Sequence, residues 1–202
     1  MTTRCKVAIL HKATQQYVDA ELIDGVTADE VNAAEAAWRP VLDEELKRMA
    51  NESVPANRRP EHAHWDWRHK CEVTEGLLVY QMLGIEHDSK MQGLMLVQTA
   101  GVFCRLPNQK DKGLVYVMFI ATAPWNSPVV VANPRFGQVG TVLIAAATQI
   151  SLDLGFNGRV GLHSLPQSED WYEKDMTDVG IDLKKNLRYF EMTPEQANNF
   201  IR

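Results

Sequence analysis

Apolar residues recur along this chain with two different periods, and the change between them divides it. From Thr27 to Met49 they fall every three or four positions, at Val31, Ala34, Trp38, Leu42, Leu46 and Met49, which draws one buried stripe along a helix. Thr27 and Glu30 have capping-box spacing, so the helix is expected to begin there, and Pro40 is expected to kink or restart it. Ahead of the helix, residues 6–10 (KVAIL) are a short strand candidate, and NESVPANRRPEH behind it reads as a polar loop.

From about Leu77 the runs become short and continuous. LLVYQMLGIE and GLMLVQT are strand candidates separated by the polar EHDSKMQ, which has hairpin character, and LVYVMFIAT (114–122) is a third. Helical spacing returns at Val139, Leu143, Ala146, Ile150 and Leu154, with Gly155 placed to cap the end. RVGLH (159–163), a short helix in PQSEDWYEKD and a last strand LRYFEMT complete the order strand, helix, three strands, helix, strand, helix, strand. That order predicts an α+β fold with a mixed sheet, in which the strands flanking the second long helix lie parallel through a right-handed crossover. Where two such strands diverge, a ligand can enter beside the helix N-terminus.

Composition narrows the class. The 202 residues, 45% hydrophobic and 23% charged, suit a single folded domain over 1–202 with the helical part at about 27–50 packed on it. No apolar run approaches the roughly 18 residues of a membrane span, and MTTRCKVAILHK is too short in its apolar part for a signal peptide, which together imply a cytoplasmic protein. Cys5, Cys71 and Cys104 are odd in number and scattered, as reduced thiols are. A formal net charge of −5 counts against nucleic acid as a partner, although a local basic groove around Arg58, Arg59, Lys184, Lys185 and Arg188 is compatible with it.

The stretch PRFGQVGTVL, residues 134–143, resembles a phosphate-binding turn that lacks one glycine. It has neither the G-x-G-x-x-G of dinucleotide binding nor a Gly-Lys-Ser/Thr ending. What it has is Arg135, Gly137 and Gly140 ahead of an apolar helix, whose first amides and positive dipole end attract an anion; a loop that merely starts a core helix has the same residues.

From about Gly76 to the C-terminus the chain resembles the GNAT superfamily of acetyl-coenzyme A-dependent N-acetyltransferases. The likeness rests on the strand LVYVMFIAT, the turn RFGQVG with its helix, the strand RVGLH and the helix bearing Tyr172. In the family turn Q/R-x-x-G-x-G/A, Arg135, Gln138 and Gly140 take the three marked places; the middle glycine is replaced by Gln138, and neighbouring Gly137 is expected to supply its flexibility. The resemblance implies a mixed, mostly antiparallel central sheet with helices on both faces and a splayed parallel strand pair. It implies that the segment Arg135, Phe136, Gly137, Gln138, Val139, Gly140 and Thr141 holds the pyrophosphate of coenzyme A. Ile120 and Ala121 would pair their backbone with the pantetheine arm, within a residue or two, since TAPWNSPVVVAN is longer than the family's usual link. Tyr172 would protonate the departing thiolate. The family's asparagine seven places before that tyrosine is Leu165 here.

Transfer to an amine also needs a proton acceptor, because a lysine-like ammonium has a pKa of about 10.4. His163 at the end of RVGLH is the candidate base, with Glu86, Asp66 and Glu191 as less specific alternatives and ordered water as another. The cysteines have no motif pairing them with histidine, which disfavours a covalent enzyme intermediate. The segment EHAHWDWRHKC, 61–71, matches no usual zinc spacing, and no metal is expected. Its tryptophans, two apart, suit a strand-like segment packed beneath the sheet; alternatively Trp65 and Asp66 line the acceptor pocket as aromatic wall and anion. The expected activity is acetyl transfer from acetyl-coenzyme A to a primary amine of a small molecule or protein. Retained Arg135 and Tyr172 favour it over a non-catalytic coenzyme A-binding module, and the acidic balance counts against a toxin acting on aminoacyl-tRNA. A strand near the C-terminus can pair across a homodimer.

Overall fold

A computed structural model describes residues 2–201, which form nine strands and five α-helices. In chain order these are β1 (Thr3–His11), β2 (Gln16–Asp24), α1 (Ala28–Asn51), α2 (Trp67–Glu72), β3 (Tyr80–His87), β4 (Lys90–Gln98), β5 (Val115–Thr122), β6 (Phe136–Gly137), α3 (Val139–Asp153), β7 (Val160–Ser164), α4 (Glu169–Tyr172), β8 (Thr177–Asp182), β9 (Leu187–Met192) and α5 (Pro194–Phe200). The hydrogen-bonded strand order is β6-β1-β2-β3-β4-β5-β7-β9-β8. It is the α+β mixed sheet expected, with β5 and β7 as its parallel pair.

The chain divides into two compact units. One comprises Met1–Leu77, Met82–Met95 and Ile120–Leu143; the other comprises Leu78–Gln81, Leu96–Phe119 and Ile144–Arg202. Strands β3, β4 and β5 and helix α3 pass from one unit into the other.

In the first unit, β1 and β2 form an antiparallel hairpin from Thr3↔Asp24 to His11↔Gln16. The apolar run KVAIL marks only the middle of β1, and β2 has no such run because its charged residues alternate with Val18, Ala20 and Leu22. The hairpin between β3 and β4 closes on Asp88 and Ser89 alone, both at positive φ, as a two-residue turn matched to strand twist requires. Strand β3 starts at Tyr80 and not at Leu77, and Leu78 is 97% exposed. Helix α1 is capped as predicted: the Thr27 hydroxyl accepts from the Glu30 amide, and the Glu30 carboxylate accepts from the Thr27 amide at 2.8 Å. It runs unbroken through Pro40, so the expected restart does not occur. Its buried stripe keeps Val31, Ala34, Trp38, Leu42 and Met49, adds Glu35, and leaves Leu46 half-buried. The segment holding Trp65 and Trp67 is not strand-like: Asp66 caps α2, accepting from the His69 amide at 3.1 Å.

In the second unit, β5 and β7 pair over Val115–Val117 and Val160–Leu162 only. Antiparallel β9 then follows β7 from Val160↔Met192 to Ser164↔Arg188, and β8 lies on β9. Helix α3 ends in a Schellman motif, with Phe156 donating to the Ser151 carbonyl, Gly155 to that of Leu152, and Gly155 at φ 75°. The helix stops one residue before Leu154, which is 46% exposed and leaves the predicted stripe. Two elements here, β8 and α5, lie outside the order expected from the apolar pattern. The latter carries a second capping box, Thr193 with Gln196.

Candidate functional site

Gln92 on β4 organises the turn that the sequence singled out. It is buried, and its side-chain oxygen accepts from Trp125 Nε1 (2.9 Å) and Asn126 Nδ2 (3.1 Å), while its carbonyl accepts from the Ala123 amide (2.8 Å). Asn126 in turn accepts the Phe136 amide at 3.0 Å through Oδ1, and the Arg135 amide donates to the Trp125 carbonyl. The long link between β5 and the turn is thereby tied to the sheet at both ends. Neither Gln92 nor Asn126 carried a sequence signal, since their importance lies in contacts distant along the chain.

The predicted turn residues divide into two groups. Phe136 and Gly137 form β6, pairing with His11 and Leu10, and Arg135 ahead of them is joined to the same edge, the Lys12 amide donating to its carbonyl. Phe136 is buried against His11 and His87, and its amide is committed to Asn126; exposed Arg135 lays its guanidinium 5.3 Å from the Phe136 ring. Gly137 does not supply the missing flexibility. Gln138 itself takes the left-handed conformation, at φ 69°, where the family turn has glycine. The second group opens α3. Its first turn closes with Val142 donating to the Gln138 carbonyl, so the amides of Val139, Gly140 and Thr141 are the orphan donors of a helix N-terminus. A Cβ placed on Gly140 would meet no atom within 4 Å, so there is free space beside this first turn.

Gly93 on β4 sets how close that helix comes. A Cβ there would lie 2.6 Å from Val139 Cγ1, 3.1 Å from Leu143 Cδ1 and 3.4 Å from the Ala121 carbonyl oxygen. The helix start and the end of β5 therefore meet over a bare patch of β4. Ala121 also lines a narrow cleft with Thr122, Trp38, His62, Trp65 and Trp67. The tryptophans stack edge to face, Trp65 on Trp67 at 6.2 Å and Trp38 on Trp67 at 6.5 Å, and Trp38 donates from Nε1 to the Met91 carbonyl. Lys70 holds its ammonium 5.3 Å from the Trp65 ring.

One half-buried ion pair spans the cleft wall. Glu35 accepts from Arg39 Nη2 (2.6 Å), Arg39 Nε (3.1 Å) and the Trp67 amide (3.2 Å), while Arg39 donates to the carbonyls of Ala63 and Trp65. Both residues also line a wider charged cleft of about 910 Å³ with Asp43, Lys47, Asp66 and Arg68. Trp65 thus lies in the narrow cleft and exposed Asp66 on the wide one.

Tyr172 and His163 belong to the second unit. Tyr172 is buried against Trp171 and Phe190, and burial pushes its phenol well above the ordinary tyrosine range. His163 sits in a closed polar network: Nδ1 lies 2.7 Å from the Tyr116 hydroxyl, Nε2 lies 3.0 Å from Asp182, and its side chain is 4% exposed. Lys185 donates to the same hydroxyl, and Arg105 to the same carboxylate. Burial lowers the His163 pKa despite Asp182, while bonds from Arg105 and His163 hold Asp182 well below the usual carboxylate range. Glu191, an alternative base, is fully buried and accepts from the Arg105 and Leu106 amides and from Gln109 Nε2. Glu86, another, pairs with Arg4 at 3.1 Å.

The thiols are poorly placed as nucleophiles, since the thiolate is the reactive form. Burial pushes Cys104 up to about 11 and also raises Cys71; Cys5 is exposed on β1. Among the described residues no group of three or more His, Cys, Asp or Glu could hold a metal ion, and no helix is long and apolar enough to cross a membrane.

No family model and no curated protein matches this sequence. Solved structures do match. The GNAT domain of S. lividans PAT aligns over 94% of this chain and 96% of its own at TM-score 0.55 and 12% identity. PaiA N-acetyltransferase from Thermoplasma acidophilum, in complex with coenzyme A, covers 87% of this chain and 99% of its own at 0.53 and 12%. Mycobacterium smegmatis RimJ, in complex with CoA-disulfide, covers 100% and 93% at 0.52 and 12%.

Proposed function

We propose that this chain, which has the GNAT acetyltransferase fold, moves an acetyl group from acetyl-coenzyme A to a primary amine. The observation that carries the reading is the convergence in the first unit of three features: the orphan helix-start amides of Val139, Gly140 and Thr141, the end of β5 at Ala121, and the tryptophan-lined cleft that Ala121 shares. Amides at a helix N-terminus suit a pyrophosphate, and a strand end suits the amide-rich pantetheine arm. Ile120 and Ala121 are the proposed arm contacts. Arg135, exposed beside the turn, adds a positive charge for the phosphates.

The reaction is a direct displacement. The amine nitrogen attacks the thioester carbonyl, a strand amide polarises the carbonyl oxygen, the new C–N bond forms and the C–S bond breaks. The amine's proton passes to a base, and the sulfur leaves as a thiolate that takes up a proton. Tyr172 is the proposed donor of that proton, by its resemblance to the family's helix-borne tyrosine. A phenol, with an ordinary pKa of about 10, is protonated at neutral pH, which a donor requires. Trp65 and Asp66 are the proposed acceptor contacts, the ring against the carbon chain and the carboxylate toward a cationic group further along it. The wide charged cleft beyond them suits an acceptor larger than its amine-bearing end.

Release of free thiol, with acetyl-coenzyme A offered to small amines, polyamines and lysine-containing peptides, tests the proposal. Thiol is expected with at least one amine and not without it, with Tyr172→Phe slower by about 10²-fold. Binding of coenzyme A with no thiol released by any amine would instead favour a non-catalytic module.

A further inference from the structure

His62 is the one titratable side chain of the narrow cleft that is not tied to a partner. Glu35 and Arg39, which also line it, are bonded to each other; the remaining walls are Trp38, Leu42, Trp65, Trp67, Ala121, Thr122 and Pro124. The imidazole packs tilted against Trp65 with centroids 5.8 Å apart, and it makes no hydrogen bond among the described residues. Its nitrogens are not sealed in either, because the sealed and unpartnered side-chain atoms are Arg159 Nε and Tyr189 Oη. They are therefore reachable from outside, on a side chain that lines the cleft. His163 shows the opposite arrangement, with both nitrogens committed.

We propose that His62 is the catalytic base: its imidazole takes the proton of the acceptor ammonium inside the tryptophan-lined cleft, beside the end of β5. This inference rests on the acetyl-transfer reading. An imidazole that accepts a proton must be neutral at working pH, and burial together with nearby His64 lowers the pKa of His62. The charged groups around it are His64 beside it and the bonded Glu35–Arg39 pair on α1; β5 and the turn after it offer Ala121, Thr122 and Pro124. The same apolar walls lower the pKa of an ammonium that enters, which narrows its gap from the imidazole. Once the proton has moved, the nitrogen lone pair forms the C–N bond and the C–S electrons leave with sulfur; the adduct nitrogen gives up its second proton, which balances the one the thiolate takes up, and the imidazolium releases the first to water.

The test is the pH profile of kcat/KM for an amine that the wild type acetylates, measured for wild type, His62→Gln and His62→Ala, with calorimetric binding of coenzyme A as the control for folding. The expected result at pH 7 is a loss of about 10²-fold in His62→Gln with coenzyme A binding unchanged. The wild type's acid limb should vanish, leaving a rise that follows deprotonation of the free amine, and added imidazole should partly restore His62→Ala. A variant within twofold of wild type overturns the inference, and so does a slower variant that keeps the wild-type pH profile, since that marks a structural role. If the wild type releases no thiol with any amine, the acetyl-transfer reading itself fails. An active wild type with a silent His62→Gln sinks this inference alone.

Discussion

Gly93 and Val139 share a space that has no room for one more carbon: a Cβ on Gly93 would lie 2.6 Å from Val139 Cγ1. The first turn of α3 owes its seat on β4 to that missing side chain. Gly93→Val is therefore expected to lower stability by about 1–3 kcal/mol through overpacking and to weaken coenzyme A binding, because the helix start must shift. Thermal melting and calorimetry on the same sample check this. Unchanged binding in a destabilised variant would separate the helix seat from the ligand.

Gln138 holds a left-handed conformation at φ 69° that glycine adopts without strain. Relief of about 1 kcal/mol or more is partly offset by the added freedom of the unfolded chain, so Gln138→Gly is expected to raise stability by about 0.5 kcal/mol and leave coenzyme A affinity intact. Gln138→Val should do the reverse, since a β-branched residue fits that region worst. Melting temperatures of the two variants, moving in opposite directions from wild type, are the check.

How much of this was legible beforehand follows the range of each interaction. The caps and stripe of α1 and the turn before α3 are local patterns, and they stood in the sequence: Thr27 with Glu30, and Arg135 to Gly140. The strand β2 and the short helix α2 were not read, because Asp19 and Glu21 interrupt the one and six residues give the other no period. Thr193 and Gln196 have capping-box spacing, which is a local signal for α5. The anchoring of the turn by Gln92 and Asn126 is different in kind, since it joins positions 34 apart through side-chain amides that look like ordinary polar residues. The same holds for His62, whose place in the cleft depends on how Arg39 gathers the carbonyls of Ala63 and Trp65.

That gathering makes its own prediction. Removing Arg39 leaves the Glu35 carboxylate buried with the Trp67 amide as its remaining hydrogen-bond donor, while the loop loses two carbonyl anchors. Arg39→Gln should cost about 2 kcal/mol, less than for a fully buried pair because the Arg39 side chain is 34% exposed. The acceptor's KM should rise while the affinity for coenzyme A holds, which initial-rate kinetics and calorimetry read separately.

Stability should fall on the acid side of neutrality. His163 has a folded-state pKa below its ordinary value, so near pH 6 the folded protein binds fewer protons than the unfolded chain. Its contribution is complete above about pH 6.5 and is lost as pH drops through that value toward the folded one. His62 acts with the same sign. Asp182, held low by Arg105 and His163, contributes above about pH 4 and fails below it. Between pH 7.5 and 5.5 the melting temperature should decline, and His163→Gln should decline less steeply from a lower start. Parallel slopes would remove His163 from the effect.

The most direct measurement is calorimetric titration of acetyl-coenzyme A into the wild type and into Gly140→Asp. Space is open around Gly140, and an acidic residue in the first turn suits a helix, so the variant should melt no earlier than wild type. Its carboxylate would occupy the amides of Val139 to Thr141 and repel phosphate. The expected result is saturable binding by the wild type and at least about tenfold weaker binding by the variant, a loss of about 1.4 kcal/mol or more. No heat with the wild type, or equal heat with Asp at position 140, would contradict the account.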